Sequence, residues 1–143
     1  MGIVLDTDVV VAGMRSDRGA SRQLLLAALD RRITLLASVP LVLEYEAVLT
    51  RPEHLKEIGL SAEEVNEVLD AIVAVVEPVA LPFLWRPRLK DPADETVLET
   101  AVEGGADRLI TFNVRHLAEA ATVLGIRASP PGAVLREILR STP

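Results

Sequence analysis

Three acidic side chains interrupt apolar stretches of the sequence and are therefore candidates for chemistry. Asp6 follows the apolar run 3–5, Glu44 lies on the apolar face of a predicted helix, and Asp94 shares a predicted helix face with apolar residues. A carboxylate directed toward an apolar interior is costly unless a partner neutralises it. Each acid alone also has a structural explanation, as a turn, cap or solvated helix residue. Together they indicate a shared positively charged partner.

The charge pattern favours a divalent cation as that partner. The chain has only two lysines, Lys56 and Lys90, although arginines are also available. Converging carboxylates repel one another, and a bound divalent cation relieves this repulsion. The chain has no cysteine, and ligands that are all oxygen atoms favour Mg²⁺ or Mn²⁺ over zinc.

Composition limits the class of protein. The chain has 143 residues, half of them apolar and a quarter charged, which predicts a single folded domain over residues 1–143. The absence of cysteine excludes a disulfide scaffold and a cysteine nucleophile. No apolar run reaches the ~20 residues of a membrane span, so we expect a cytoplasmic protein with no membrane association. The net charge of −6 opposes nucleic-acid binding unless the acids cluster around a metal ion.

Short apolar runs alternate with amphipathic segments along the chain. Ser61 and Glu64 form the pattern of a capping box at one helix start, and Arg51-Pro52 is predicted to end the preceding helix. This alternation predicts a parallel sheet covered by helices on both faces, in a single three-layer α/β/α domain. The predicted strands are 3–5, 33–37, 108–111 and 126–128, with an edge strand within 75–81, and the predicted helices are 16–32, 41–50, one from 62, 92–103, 114–124 and 131–139.

Four segments occur in an order and at a spacing that match one family from residue 3 to about residue 139. Their sequences are Ile3 to Val10, Leu43 to Leu49 followed by Arg51-Pro52, Lys90 to Glu95, and Ile110 to Leu117, with Pro130-Pro131-Gly132 before the last helix. The chain thereby resembles the PIN-domain nucleases. With Arg51-Pro52 after the predicted helix that carries Glu44, the chain is similar to the branch of that family that includes the VapC-like toxins of toxin–antitoxin systems.

This resemblance implies a Rossmann-like sheet of strand order 3-2-1-4-5. It also implies an endoribonuclease that depends on Mg²⁺ or Mn²⁺ and hydrolyses phosphodiester bonds of RNA. The catalytic, metal-binding acids carried over from the family are Asp6, Glu44 and Asp94. The implied partners are an RNA substrate, a cognate antitoxin protein and a second copy of the chain in a homodimer.

The sequence departs from the family pattern at three positions. Asn113 lies where a fourth acid usually follows the threonine of the fourth strand, and His116 lies where a further acid is often found. Conversely, Asp8 replaces a residue that is commonly Asn or Ser. Asp8, after strand 1, would thus supply the acid that Asn113 lacks after strand 4. Asp8 and Asn113 are therefore further candidate metal ligands. The neutral Asn113 leaves an alternative open, in which the domain binds RNA or protein without cleaving.

Several side chains near these acids are candidates for binding the RNA backbone. Trp85 lies in the proline-rich segment 81–90 and is interpreted either as a base-stacking residue or as an anchor for that loop. The candidate substrate-binding residues are Thr111, Arg15, Arg18, Arg88 and Arg115.

Two other enzyme classes share part of the pattern. Asp6-Thr7-Asp8 after a strand is also found in haloacid-dehalogenase-type phosphohydrolases, but there the motif continues with Gly-Thr, whereas Val9-Val10 follows here. A receiver domain needs a late lysine, and no lysine follows Lys90. Both alternatives are disfavoured.

Overall fold

Five parallel strands form the sheet of this protein, for which a computed structural model describes residues 1–81 and 92–141. Their order is β3-β2-β1-β4-β5, and every pair of neighbours runs parallel. The carboxyl ends of the strands therefore meet at one edge, where ligands bind in open α/β sheets. The predicted strand order is confirmed. The strands are β1 (Gly2–Leu5), β2 (Thr34–Ala37), β3 (Glu77–Pro78), β4 (Arg108–Ile110) and β5 (Ala128–Ser129).

Eight helices flank the sheet within the described residues. They are α1 (Thr7–Arg15), α2 (Ala20–Leu29), α3 (Val39–Leu49), α4 (Pro52–Ile58), α5 (Ala62–Val75), α6 (Pro92–Glu103), α7 (Val114–Val123) and α8 (Pro131–Ser141). Helix α2 packs against α1 and α8, whereas α3 packs against α5 and α6. The Ser61–Glu64 capping box is confirmed, since each residue's backbone N–H donates to the other's side chain at 3.1 Å. In these parts of the chain, no helix has both the length and the apolar character needed to cross a membrane.

The helix predicted from residue 16 to residue 32 starts in the wrong place. Ser16 is the C-cap of α1, and α2 begins only at Ala20. Helix α1 itself was missed because it contains Val9 and neighbouring valines, which have low intrinsic helix propensity. Val9 is fully buried, and the Asp6 carboxylate caps the helix by accepting from the Thr7 N–H. Burial and capping thus outweigh propensity.

Two other boundaries differ from the sequence prediction for local reasons. Pro52 not only ends α3 but also begins α4, since proline fits the first position of a helix. Strand β5 begins two residues later than predicted and ends one residue later, and its first residue, Ala128, pairs with Leu109 of β4.

The centre of the core joins β1 to α3. Ile3, Val4 and Leu5 are completely buried, and Tyr45 of α3 is 1% exposed. The Tyr45 hydroxyl donates to the carbonyl oxygen of Leu5. This buried hydrogen bond fixes α3 next to the carboxyl end of β1.

A close approach between α1 and α2 makes Gly13 sensitive to substitution. A Cβ atom at Gly13 would overlap Cδ1 of Leu25 and lie 3.2 Å from the Ser21 carbonyl oxygen. Such overlap costs about 1–3 kcal/mol, partly offset by a gain of up to ~1 kcal/mol in helix propensity. In the control Gly132→Ala, the nearest atom is an Arg136 nitrogen at 3.6 Å, an ordinary contact. We expect Gly13→Ala to melt at least about 3 °C below Gly132→Ala, and equal melting temperatures would contradict this packing.

Candidate active site

Asp6 lies where β1, β4 and α1 meet. Its backbone N–H donates to the Ile110 carbonyl at 2.8 Å, which extends the pairing of β1 with β4. One carboxylate oxygen accepts from the Thr7 N–H at 2.9 Å, and the other accepts from the Thr111 hydroxyl at 2.7 Å. Both oxygens of Asp6 are therefore oriented by the protein.

Thr7 connects Asp6 to Glu44. The Thr7 hydroxyl donates to a carboxylate oxygen of Glu44, and Thr7 itself is buried. Burial, together with the nearby charges of Asp6 and Glu44, raises the pKa of Tyr45 well above its ordinary value. The phenol consequently stays protonated and keeps its hydrogen bond to β1. The structure brings Asp6 and Glu44 together, as the sequence predicts.

Asp8 joins this group from the first turn of α1. Partial desolvation and the adjacent charge of Asp6 raise its pKa from 3.8 to about 6, and the charge of Asp94 adds a smaller effect in the same direction. Hydrogen bonds from the backbone N–H groups of Phe112 and Val9 oppose the shift. Desolvation and the negative charge of Asp6 therefore both disfavour the charged form of Asp8.

Asp94 lies in the first turn of α6 and faces α7. Its side chain is 13% exposed, and Val97 and Leu98, one turn further along, are fully buried. A contact of 3.0 Å joins Oδ2 of Asp94 to Nε2 of His116. His116 therefore contacts an acid of the site, a pairing that spacing along the chain does not predict. The sequence Asp91-Pro92 also predicts Asp91 as the N-cap of this helix, but Asp91 lies outside the described residues.

Asn113 precedes α7 and is tied to the site through its backbone. Its N–H donates to the Thr111 hydroxyl oxygen at 2.9 Å, while its exposed side chain makes no capping hydrogen bond. Thr111 thus bridges Asn113 and Asp6. The candidate ligand position at Asn113 is adjacent to the acids, as expected for the ends of neighbouring strands.

The candidate RNA-binding arginines have different surroundings. Arg15 lies beside the acids and forms an ion pair with Glu57 of α4 at 3.0 Å. Arg18 and Arg115 are exposed, between α1 and α2 and in α7 respectively. Arg88 lies outside the described residues, as does Trp85.

A cavity of about 680 Å³ opens beside these side chains. Its wall includes Asp6, Asp8 and Glu44, and it also includes Arg51 and His54. Sequence reasoning missed Arg51 and His54 because it interpreted Arg51-Pro52 as a helix end and as a feature of one branch of the family, and not as part of the site. Proline at a first helical position was the available signal, since it would have placed both residues at the start of α4.

The donor set suits a hard divalent cation. Among residues 1–81 and 92–141, no three Asp, Glu or His side chains are already grouped closely enough to enclose a metal ion. Nevertheless, Asp6, Asp8 and Glu44 line one cavity. A cation there would favour the charged form of Asp8, whose pKa is raised by desolvation and by the charge of Asp6. Carboxylate oxygens are the ligands that Mg²⁺ and Mn²⁺ prefer.

The raised pKa of Asp8 predicts a pH-dependent stability change in Asp8→Asn. Between about pH 4 and pH 6, the folded protein binds more protons at Asp8 than the unfolded chain does, so stability falls as pH rises through this window. Without metal, Asp8→Asn should therefore melt above the wild type at pH 7, and the difference should vanish near pH 4. Asn can still accept from the Phe112 N–H.

The matched control is Asp70→Asn, which makes the same chemical change at an exposed position of α5. It should leave the melting temperature nearly unchanged at both pH values. If the melting temperature of Asp8→Asn differs from that of the wild type by the same amount at pH 4 and at pH 7, the charged form of Asp8 does not destabilise the fold.

Comparison with known families agrees with the sheet order. The PIN domain family matches residues 2–115, a span that contains Asp6, Glu44, Asp94 and Asn113. No curated protein gives a significant match in sequence. PIN domains are generally nucleases, and the family match covers most of the chain. The chain therefore belongs to the PIN domain family and has the nuclease-type fold of that family.

Proposed function

We propose that this protein is an endoribonuclease that uses Mg²⁺ or Mn²⁺ to hydrolyse phosphodiester bonds of RNA. The observation that supports this proposal is the convergence of Asp6, Asp8 and Glu44 on one cavity at the carboxyl end of β1. Acids placed in this way suit a cation that binds a phosphate group.

In this proposal, Asp6, Glu44 and Asp94 are the catalytic acids, and together with Asp8 and Asn113 they provide the metal ligands. The chemistry supplied by such a cation is the activation of water and the neutralisation of charge on the phosphate. The protein's own groups orient the acids, since Thr7 donates to Glu44, Thr111 donates to Asp6 and His116 contacts Asp94. The proposed contacts to RNA come from Arg15, Arg18, Arg88 and Arg115. Thr111, the remaining sequence candidate, is completely buried and orients Asp6 instead.

The proposed biological role is the toxin of a toxin–antitoxin pair that acts in the cytoplasm. Support comes from the Arg51-Pro52 pair, which is similar to the toxin branch of the family. The proposed protein partners are a cognate antitoxin and a second copy of the chain.

A PIN domain that binds RNA or protein without cleavage is the second candidate. It is favoured by the neutral Asn113 at the fourth acidic position and by the pairing of Asp94 with His116 at 3.0 Å. In this case the acids would be present, but the protein would not cleave RNA. A cleavage assay separates the two candidates.

Metal-dependent cleavage is the prediction that tests the proposed function. The purified protein should cut an RNA oligonucleotide in the presence of Mn²⁺ or Mg²⁺ and should be inactive in EDTA. Asp6→Asn should lower the rate at least about 100-fold, since the loss of a group that supports charge in the transition state typically costs about 10²–10³ in rate. The measurement is initial rate by gel, with Asp70→Asn as the control that should retain wild-type activity.

Two results would contradict the proposed function. Cleavage that proceeds equally well in EDTA would exclude the metal-dependent mechanism. A wild type that binds RNA but leaves it intact in both metal ions would favour the non-catalytic alternative.

A further inference from the structure

The wall of the cavity contains basic and aromatic residues as well as acids. Beyond the acids, the wall contains Arg51 and His54 from the start of α4 and the side chain of Phe112. None of these three residues is needed to hold a cation. Cationic and aromatic groups beside a site for phosphate chemistry are typical of single-stranded nucleic-acid binding.

Phe112 is a large apolar side chain that the core does not cover. It is 55% exposed, although its neighbour Thr111 is completely buried. It follows a well-anchored residue, because the Thr111 N–H donates to the Ser129 carbonyl at 3.0 Å and the Thr111 hydroxyl donates to Asp6 at 2.7 Å. An exposed aromatic ring is thus held directly beside the acids. A nucleobase could stack on such a ring.

His54 is oriented by a hydrogen bond to α3. Its Nδ1 lies 2.7 Å from the Val48 carbonyl oxygen. Because a carbonyl oxygen only accepts, Nδ1 is the ring nitrogen that carries the proton in this contact, and Nε2 remains for other partners. A ring held in this way can present a hydrogen-bonding atom in the cavity without further ordering.

Helix α4 is attached so that Arg51 borders the same cavity. Leu55 and Ile58 pack against the core, and Glu57 forms the ion pair with Arg15 of α1 at 3.0 Å. These contacts involve the later part of α4, while Arg51, which directly precedes the helix, lines the cavity. Arginine suits phosphate recognition because its guanidinium donates several hydrogen bonds in a fixed plane.

We propose that Phe112, Arg51 and His54 form a subsite for one unpaired nucleotide of the RNA. The base stacks on Phe112, Arg51 contacts a phosphate, and His54 donates or accepts a hydrogen bond through Nε2. The cavity volume of about 680 Å³ lies within the usual range for small-molecule ligands, about 300–1,000 Å³. This inference rests on the proposed function, since the acids of that function line the same cavity.

The subsite distinguishes an unpaired base from a paired one. A base within a duplex is stacked between its neighbours and cannot reach Phe112 unless the duplex opens. The wild type is therefore expected to bind a single strand more tightly than a duplex of the same sequence. Removal of the Phe112 ring should abolish most of that preference.

The experiment measures fluorescence anisotropy of a fluorescein-labelled single-stranded oligoadenylate of about eight nucleotides, with Ca²⁺ in the buffer. Ca²⁺ takes oxygen ligands in flexible geometry and so neutralises the acids, and a gel confirms that the probe stays intact. Phe112→Ala should weaken binding roughly tenfold or more, whereas Phe112→Trp should retain it. The control is Val123→Ala, at a residue of α7 that is 75% exposed.

Salt dependence tests the assignment of Arg51 separately. Arg51→Ala should weaken binding and reduce the slope of log K against log salt concentration by about 0.7, the value for one phosphate contact on a single strand. Phe112→Ala should leave the slope unchanged because stacking releases no counterions. Arg140→Ala, at an exposed position of α8, is the matched control that should change neither quantity.

The outcomes separate this inference from the proposed function. If Phe112→Ala and Arg51→Ala bind as the wild type does, the subsite is wrong, even where the wild type cleaves RNA with Mn²⁺. If both variants lose affinity while the wild type never cleaves, the subsite is supported and the proposed catalytic function is wrong. Equal affinity of the wild type for single strand and duplex would also overturn the subsite.

Discussion

Repulsion between carboxylates is the constraint around which this site is built. Partial desolvation of Asp8, together with the nearby charge of Asp6, raises the pKa of Asp8 to about 6. The protein offsets this repulsion with donors directed at the acids, including the hydroxyl of Thr111 and the backbone N–H of Phe112. These donors offset the repulsion only in part, because the pKa of Asp8 remains raised. A divalent cation between the acids would neutralise the rest of their charge. Affinity for a cation is thus a consequence of local electrostatics.

The parallel sheet determines which groups meet there. Because β1 and β4 are neighbours, Asp6 and Thr111 follow strands that end at the same edge, and their side chains form a 2.7 Å hydrogen bond. Helix α1 starts at Asp6 and brings Asp8, while Tyr45 anchors α3 to β1 and so brings Glu44. Each acid is therefore placed by a separate contact with the two central strands.

Local sequence patterns predicted the parts of the fold that depend on local physics. The apolar run of β1 and the Ser61 capping box require only neighbouring residues to be recognised, and both are confirmed. Helix α1 could not be predicted in the same way, since its valines are helical only because they are buried. The contact between Asp94 and His116 depends on how α6 and α7 lie relative to each other. Neither that arrangement nor the position of His54 at the cavity is encoded by spacing along the chain.

The central claim, that these acids jointly bind a divalent cation, is tested most directly by calorimetric titration of the metal-free protein with Mn²⁺ at neutral pH. The account predicts saturable binding by the wild type and by Asp70→Asn, and an affinity at least about tenfold lower for Asp6→Asn, since affinity follows the number of carboxylate ligands. Identical titrations of the wild type and Asp6→Asn, or no binding by the wild type, would contradict it.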